Sequence, residues 1–410
     1  MIDLDRFQEI WETITRNKVR SFLTGFGVFW GIFMLMIMLG SGQGFENQSM
    51  KWLENSETNA TIIWTDQTSE PYKGFKKGRQ WNIRNRDILA ARENIPELEV
   101  IAPVIWGARN GDNVVKDEKA GSYNIVGFYP DYVRIQKQPM KFGRFINEMD
   151  IRNRRKVCVI GLDVYQNLFN GEGNPLGGYI RINGVYYQVV GVTSSTYSAF
   201  DGRATEQISL PFTTLQQVGN MGDVVHIIRA TAKAGVDVNI LEKKIKEILR
   251  AQNSLSPTDT QAIGSFNVAE AVSRNKAVFL GIRALIWIVG IGTLLAGVVG
   301  ISNIMMVTVK ERTREIGVRR ALGATPKVIL KQILSESLLL TAIAGIFGLC
   351  LGVVAVSVAS LVFEFMLDAI IPFGAAVFSL IILLLSGLLA GAIPAWRALQ
   401  IKAIDAIRDE

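Results

Sequence analysis

Histidine is nearly absent from this chain and cysteine is scarce: His226 stands alone among 410 residues, with only Cys158 and Cys350 as thiols. The usual zinc sets need several closely spaced His and Cys, so they are excluded. A Ser-His-Asp hydrolase would have only His226 to use. That residue lies in Val224-Val-His-Ile-Ile, which reads as a strand. A carboxylate-based site stays open. Cys158 falls in a polar stretch and Cys350 in an apolar one, so no disulfide framework is expected. The phosphate-binding pattern G-x-x-x-x-G-K-[ST] is missing, and Gly74-Phe-Lys-Lys-Gly-Arg is basic but wrongly spaced. The chain is therefore not expected to hydrolyse ATP by that route. No repeat of about 20 to 50 residues recurs.

Charge is missing from four long stretches, 21–45, 284–309, 337–363 and 369–396, none of which holds Lys, Arg, Asp or Glu. A bilayer core needs about 20 mostly apolar residues in a helix, so each stretch can span with room for tilt. Roughly 230 polar residues separate the first from the second, and the last three follow closely. A composition of 49% hydrophobic and 20% charged residues suits such a mixture. The expected fold class is membrane α-helical, with four transmembrane helices in 1+3 order and a mixed α/β extracytoplasmic domain inserted between helices 1 and 2.

Basic residues fix the orientation. The net charge is +7, and the 310–331 loop alone holds seven basic and two acidic residues. Arg16, Lys18 and Arg20 precede the first run, and Arg397 and Lys402 follow the last. Lys and Arg stay on the cytoplasmic side, which places both termini and the loop inside and the insert outside. The first run is too long for a signal-peptide core, and Gly40-Ser41-Gly42 is a poor cleavage site, so it reads as a retained anchor. The expected divisions are a cytoplasmic helix at 1–20, spans at 21–43, 277–309, 331–363 and 372–397, and an outer domain with its stalk at 44–276. A cytoplasmic helix or loop at 310–330, an outer turn at 364–371 and a tail at 398–410 complete them. Phe7, Ile10, Trp11 and Ile14 give the first segment an amphipathic face, although simple continuation of the membrane helix is an equal reading.

Within the insert, 59–64, 100–106, 123–128, 156–160, 208–210 and 224–231 read as strands, rich in β-branched and aromatic residues. The segment 179–192 reads as a hairpin turning at Asn183-Gly184. Helices are expected at 164–169 and 237–252, the latter with Ile240, Leu241, Ile245, Ile248 and Leu249 on one face. A mobile loop is expected at 71–81 and a linker at 254–264. Helical spacing from Val268 to Arg283 suggests that the second span begins in water. One domain or two lobes would both fit.

The 310–331 loop carries the most specific local pattern. Glu315 and Arg319 are an i, i+4 pair, Glu311 and Arg314 an i, i+3 pair, and Gly323 with Pro326 closes the helix. A solvated positive-inside loop explains the charges. It does not need Ile316, Gly317 and Val318 in its middle, or Leu322, and a charged helix with an apolar ridge suits docking in a groove. Gly290, Gly297, Gly300, Gly348 and Gly352 punctuate the spans, as a dimer face or as packing within one subunit. Arg283 and Glu336 lie near span ends and read as snorkelling or capping groups, and Pro394 is expected to kink the last span.

Asn303-Ile-Met-Met-Val, Glu311-Arg-Thr-Arg-Glu-Ile-Gly, Arg320-Ala-Leu-Gly-Ala and Gly391-Ala-Ile-Pro-Ala-Trp-Arg-Ala together resemble the MacB-like, FtsX-type permeases of ABC transporters. So do Asn17-Lys-Val-Arg-Ser-Phe-Leu-Thr at the start and, within the insert, Gly143-Arg-Phe-Ile, Val157-Cys-Val-Ile-Gly and Ile182-Asn-Gly with Gln188-Val-Val-Gly-Val. The resemblance implies a coupling helix docking on an ATPase, with Glu311, Arg312, Arg314, Glu315, Ile316, Arg319 and Leu322 in the contact. It implies a second permease copy, as homodimer or with a paralogue, and mechanotransmission from the ATPase to the outer domain through a stalk. A non-catalytic role follows, with no cofactor on this chain and ATP and Mg in a separate cytosolic ABC ATPase. The implied setting is a bacterial inner membrane with a periplasmic adaptor and an outer-membrane channel, exporting drugs, peptides or siderophore-like molecules. Lipoprotein release or control of a cell-wall hydrolase is the alternative output, and a membrane-anchored sensor the rival class. No nucleic acid is expected as partner.

Overall fold

The computed structural model describes residues 18–51, 56–107, 111–194, 197–198, 202–363, 369 and 371–400. The helix expected at 1–20, the turn at 364–371 and the tail at 398–410 lie mostly outside them. Two compact units divide the chain: Met50–Lys276, and Met1–Ser49 with Ala277–Glu410.

Helix α1 (Lys18–Met50) precedes the inserted unit. That unit runs β1 (Ala60–Thr65), β2 (Ile83–Arg84), α2 (Asn85–Asn94), β3 (Leu98–Trp106), β4 (Asp112–Lys116), β5 (Lys119–Phe128), α3 (Tyr132–Ile135), β6 (Met140–Gly143), α4 (Glu148–Arg152), β7 (Val157–Ile160) and α5 (Leu162–Phe169). It continues through β8 (Tyr179–Ile182), β9 (Val185–Thr193), β10 (Tyr197–Ser198), β11 (Gly202–Arg203), β12 (Gln207–Pro211), α6 (Phe212–Val218), β13 (Val224–Val225), β14 (Ile227–Ala232), α7 (Val238–Gln252) and β15 (Ile263–Asn267). One mixed sheet of eleven strands dominates it. Strands β5, β4, β8, β9, β7 and β12 pair in a closed circuit, because β12 joins β7 antiparallel and β5 parallel. Closure removes the free edges that invite foreign strands. From β5 an arm extends through β3, β14 and β1 to β15. One buried apolar cluster holds Val114, Ile180 and Val189 of the circuit with Ile63, Ile101 and Ile228 of the arm.

The hairpin turn is where the sequence places it. Asn183 and Gly184 both adopt positive φ (46° and 87°), and β8 alternates exposed and buried residues as a half-buried strand must. The strand expected at 224–231 breaks at His226, whose N–H donates to Val104 O at 3.1 Å. Its Nδ1 accepts from the Trp106 N–H at 3.0 Å and its ring stacks on Trp106. Burial lowers its pKa, keeping it the neutral acceptor that this bond requires. Helix α7 buries Val238, Leu241, Ile245 and Leu249. Ile240, assigned to that face from sequence, is exposed, since the helical repeat turns it about 100° from Leu241.

The segment 254–264 is fixed in the fold and does not serve as a plain linker. Asp259 is buried there. Its carboxylate accepts from the Ser69 N–H and hydroxyl at 2.8 Å, and from the Gln261 and Ala262 N–H groups at 3.0 Å. The chain then enters β15 as an edge strand on β1. In the loop expected to be mobile, Tyr72 and Phe75 exchange backbone hydrogen bonds, and Gly78 N–H donates to Thr68 O. Burial pushes the Asp259 pKa up, but the Ser69 hydrogen bond and the donated N–H groups outweigh it and hold the carboxyl below its usual value. Its contribution is therefore complete above the ordinary aspartate value of about 3.9 and is lost as pH falls through the lower folded value. Asp259→Ala is expected to cost about 1–3 kcal/mol by stranding these donors. Thermal melts of the full chain should show the deficit at neutral pH and its shrinkage in acid.

The second unit holds α1 up to Ser49, α8 (Val268–Glu311) from Ala277 onward, α9 (Thr313–Ala321), α10 (Pro326–Val362) and α11 (Phe373–Leu399). Four of these helices, over Gly25–Met50, Val268–Glu311, Pro326–Val362 and Phe373–Leu399, are long and apolar enough to cross a membrane. Helix α8 starts well before its charge-free run, as its helical spacing suggests, and the boundary between the two units falls within it. Small residues pack within this one chain. A Cβ on Gly297 would lie 3.0 Å from the Gly27 backbone, one on Gly348 2.6 Å from Phe29 O, and one on Gly352 2.6 Å from Met36 Cβ, while Gly290 abuts Leu35. Gly300 meets nothing within 4 Å. Helix α11 continues through Pro394 to Leu399, and Arg283 donates to Glu46 at 2.7 Å.

Candidate functional site

The loop between the second and third membrane helices folds into α9, and local chemistry sets both its ends. At Arg312 the backbone leaves helical geometry (φ −93°, ψ 13°) for one residue, and the Thr313 hydroxyl donates to Lys310 O at 2.7 Å. At the far end Gly323 takes φ +97°. Its N–H donates to Arg320 O, and Ala324 N–H donates to Arg319 O. This crossed pair of bonds is a Schellman closure, which needs a residue tolerant of positive φ. Pro326 then opens α10 at its first turn, where a missing N–H costs nothing.

Two faces result. The inward face holds Arg312, Ile316 and Arg319, and Gly317 of the same helix is buried. Arg312 Nη1 lies 3.3 and 3.4 Å from the two Glu336 oxygens. Arg319 donates to Glu315 at 2.9 Å, the pair read from the sequence, and to Gln332 at 3.0 Å. Ile316 packs on the apolar cluster of this unit, in a cleft shared with Ile329 and Ile333. Arg320 donates to Leu399 O at 3.1 Å, where it satisfies an orphan carbonyl and meets the negative end of the α11 dipole. The outward face holds Glu311, Arg314, Glu315, Val318 and Leu322, all exposed, with Leu322 at 84%. The seven residues singled out from sequence therefore divide. Glu311, Arg314, Glu315 and Leu322 face out, whereas Arg312, Ile316 and Arg319 are held against the chain's own helices. Of the five glycines singled out, Gly290, Gly297, Gly348 and Gly352 are packing contacts between helices of this chain.

Glu336 and Gln332 are residues that the sequence reading did not place in this site. A signal existed for Glu336: a carboxylate at the edge of a long apolar run, after an Arg-rich loop, is a default functional candidate with a nameable partner.

The chain matches the MacB-like periplasmic core domain over residues 21–248 and the FtsX-like permease C-terminal over residues 287–403. The chain belongs to the MacB-like, FtsX-type family of ABC transporter permeases. The order of this permease's elements agrees, with an α/β domain between its first and second membrane helices. It is 26% identical over 409 residues to the macrolide export ATP-binding/permease protein MacB of Bdellovibrio bacteriovorus, covering 99% of this permease and 62% of that relative. It is 31% identical over 415 residues to the pyoverdine export ATP-binding/permease protein PvdT of Pseudomonas savastanoi pv. phaseolicola, covering 99% and 60%. The permease thus spans about three-fifths of the length of these relatives. The crystal structure of the periplasmic region of MacB from Actinobacillus actinomycetemcomitans is similar with a TM-score of 0.44 at 17% identity, over 55% of this permease and 95% of that chain.

Proposed function

We propose that this permease is the transmembrane part of an ATP-driven exporter and works by mechanotransmission. A P-loop ATPase outside these 410 residues docks on the outward face of α9 and binds ATP and Mg there, so this chain carries no reaction of its own. Two permease copies pair in a bacterial inner membrane, with α9 and both termini in the cytoplasm and residues 50–276 in the periplasm. The moving outer domain acts on a periplasmic adaptor and an outer-membrane channel. The names of the relatives, a macrolide exporter and a pyoverdine exporter, support drugs or siderophore-like molecules as the substrate class.

The observation that carries this reading is the form of α9. It is a short helix, set off from α8 at Arg312, closed at Gly323 and tied to its neighbours, that leaves Val318, Leu322, Glu315 and Arg314 exposed. A loop that needed only to be soluble and basic would not require that scaffold. The test is recovery of a P-loop ATPase, identified by mass spectrometry, with the tagged full chain from its own cells. Reversing both charges of the outward pair, Glu311→Arg with Arg314→Glu, keeps opposite charges at i, i+3 but inverts the surface offered to the ATPase. Recovery is expected to fall about tenfold or more. Equal recovery from the parent and the reversed variant would show that docking occurs elsewhere.

A further inference from the structure

Docking on the outward face gives Arg312 and Glu336 no task, since they lie on the inward side. Glu336 is a carboxylate in an apolar helix with a side chain only 8% exposed. Such a group is costly unless paired, and Arg312 pairs it through both oxygens. Arg312 occupies the single residue out of helical geometry between α8 and α9, and its N–H still donates to Thr308 O while its own carbonyl accepts from the Ile316 N–H. A second tie repeats the arrangement: Arg319 bonds Gln332, one helical turn before Glu336 on α10. The order 312 to 336 and 319 to 332 means that α9 runs antiparallel beside the first turns of α10. Ile316, between the two arginines, lies in the same cleft as Ile329 and Ile333.

We infer that Glu336 is a positioning residue: through Arg312 it fixes α9 to the third membrane helix, so that displacement of α9 enters α10 directly as well as α8 through the chain. This rests on the reading of α9 as the docking helix. Without the ion pair, α9 would keep its helical form but pivot at Arg312. Glu336→Gln tests the point closely, because glutamine keeps the size and one acceptor and removes only the charge.

Spin labels at Val318 and Ile346, both exposed, placed in a Cys350→Ser background and reconstituted in nanodiscs, report the α9–α10 distance on the full chain. The parent should give a narrow distribution, and E336Q one roughly twice as wide or wider. The reversed pair Arg312→Glu with Glu336→Arg should narrow it again, a rescue that loss of packing alone would not produce. If E336Q proves unfoldable, Arg312→Gln removes the more exposed partner and is read in the same way. An unchanged width in E336Q, or in R312Q where that stands in, overturns the inference. Recovery of the P-loop ATPase is followed in parallel and is expected to stay within about twofold of the parent, because the outward face is intact. Failure to recover that ATPase even with the parent would remove the docking reading, while the spin-label width would still decide whether the clamp exists.

Discussion

Gly348→Leu should separate α1 from α10 and cost the membrane unit more than about 3 kcal/mol, whereas Gly300→Leu should change stability little. The asymmetry comes from what each position faces. A Cβ on Gly348 would sit 2.6 Å from the carbonyl oxygen of Phe29 and close to Ile32. The nearest obstacle is backbone, and no rotamer change moves it aside. Close approach of small residues is how helices pack in lipid, where no hydrophobic force draws them together. Gly300 has nothing within 4 Å, so a leucine there adds one more apolar side chain to an apolar surface. Thermal unfolding in detergent, followed by fluorescence, measures both variants. Similar melting temperatures for the two would mean that the α1–α10 contact does not hold as described. The comparison also separates two meanings of glycine in a membrane span. A defect at Gly300 confined to self-association would assign that position, and not Gly348, to a contact between copies.

How much of this was legible in the sequence depended on the range of the interaction concerned. The spans were, because a charge-free run of such length has few other uses. The hairpin was, because Asn183-Gly184 states its own backbone geometry. The Glu315–Arg319 bond was, because helical spacing brings the two residues together. The closed strand circuit was not: β12 meets β5 in parallel through Gln207 and Asn124, far apart in sequence with nothing local to announce it. Strand β4, Asp-Asn-Val-Val-Lys, is too polar and short to stand out from the turns around it. The polar run 254–264 read as a linker because the partners that anchor Asp259, Ser69 above all, are distant in the chain. The candidate site divides in the same way. Its helix, its closing glycine and its charges were readable from 310–331. Which arginines face inward was not, because Glu336 and Gln332 lie beyond the loop on the next helix.

Lys276→Pro is expected to uncouple the proposed machine without disturbing its docking. Helix α8 has 44 residues, a length of about 66 Å at 1.5 Å per residue, and it is continuous across the boundary between the two units. Continuity gives such a helix its stiffness, since bending it sharply means breaking i to i−4 hydrogen bonds. Lys276 is exposed, so replacing it removes no core contact. Proline there deletes one rung of the ladder, crowds the carbonyl four residues earlier, and costs about 3 kcal/mol with a kink. Lys276→Ala keeps the ladder and serves as the control. If α8 transmits motion as a rod, ATP and Mg added to the recovered complex should alter hydrogen exchange across residues 50–276 in the parent and in the alanine variant. The proline variant should retain its ATPase and its hydrolysis but lose that response. The same exchange response in the proline variant would sink the rod mechanism, because a kinked helix cannot deliver an axial displacement undiminished, and α8 is the covalent path into the inserted domain that leads on from the α9 input.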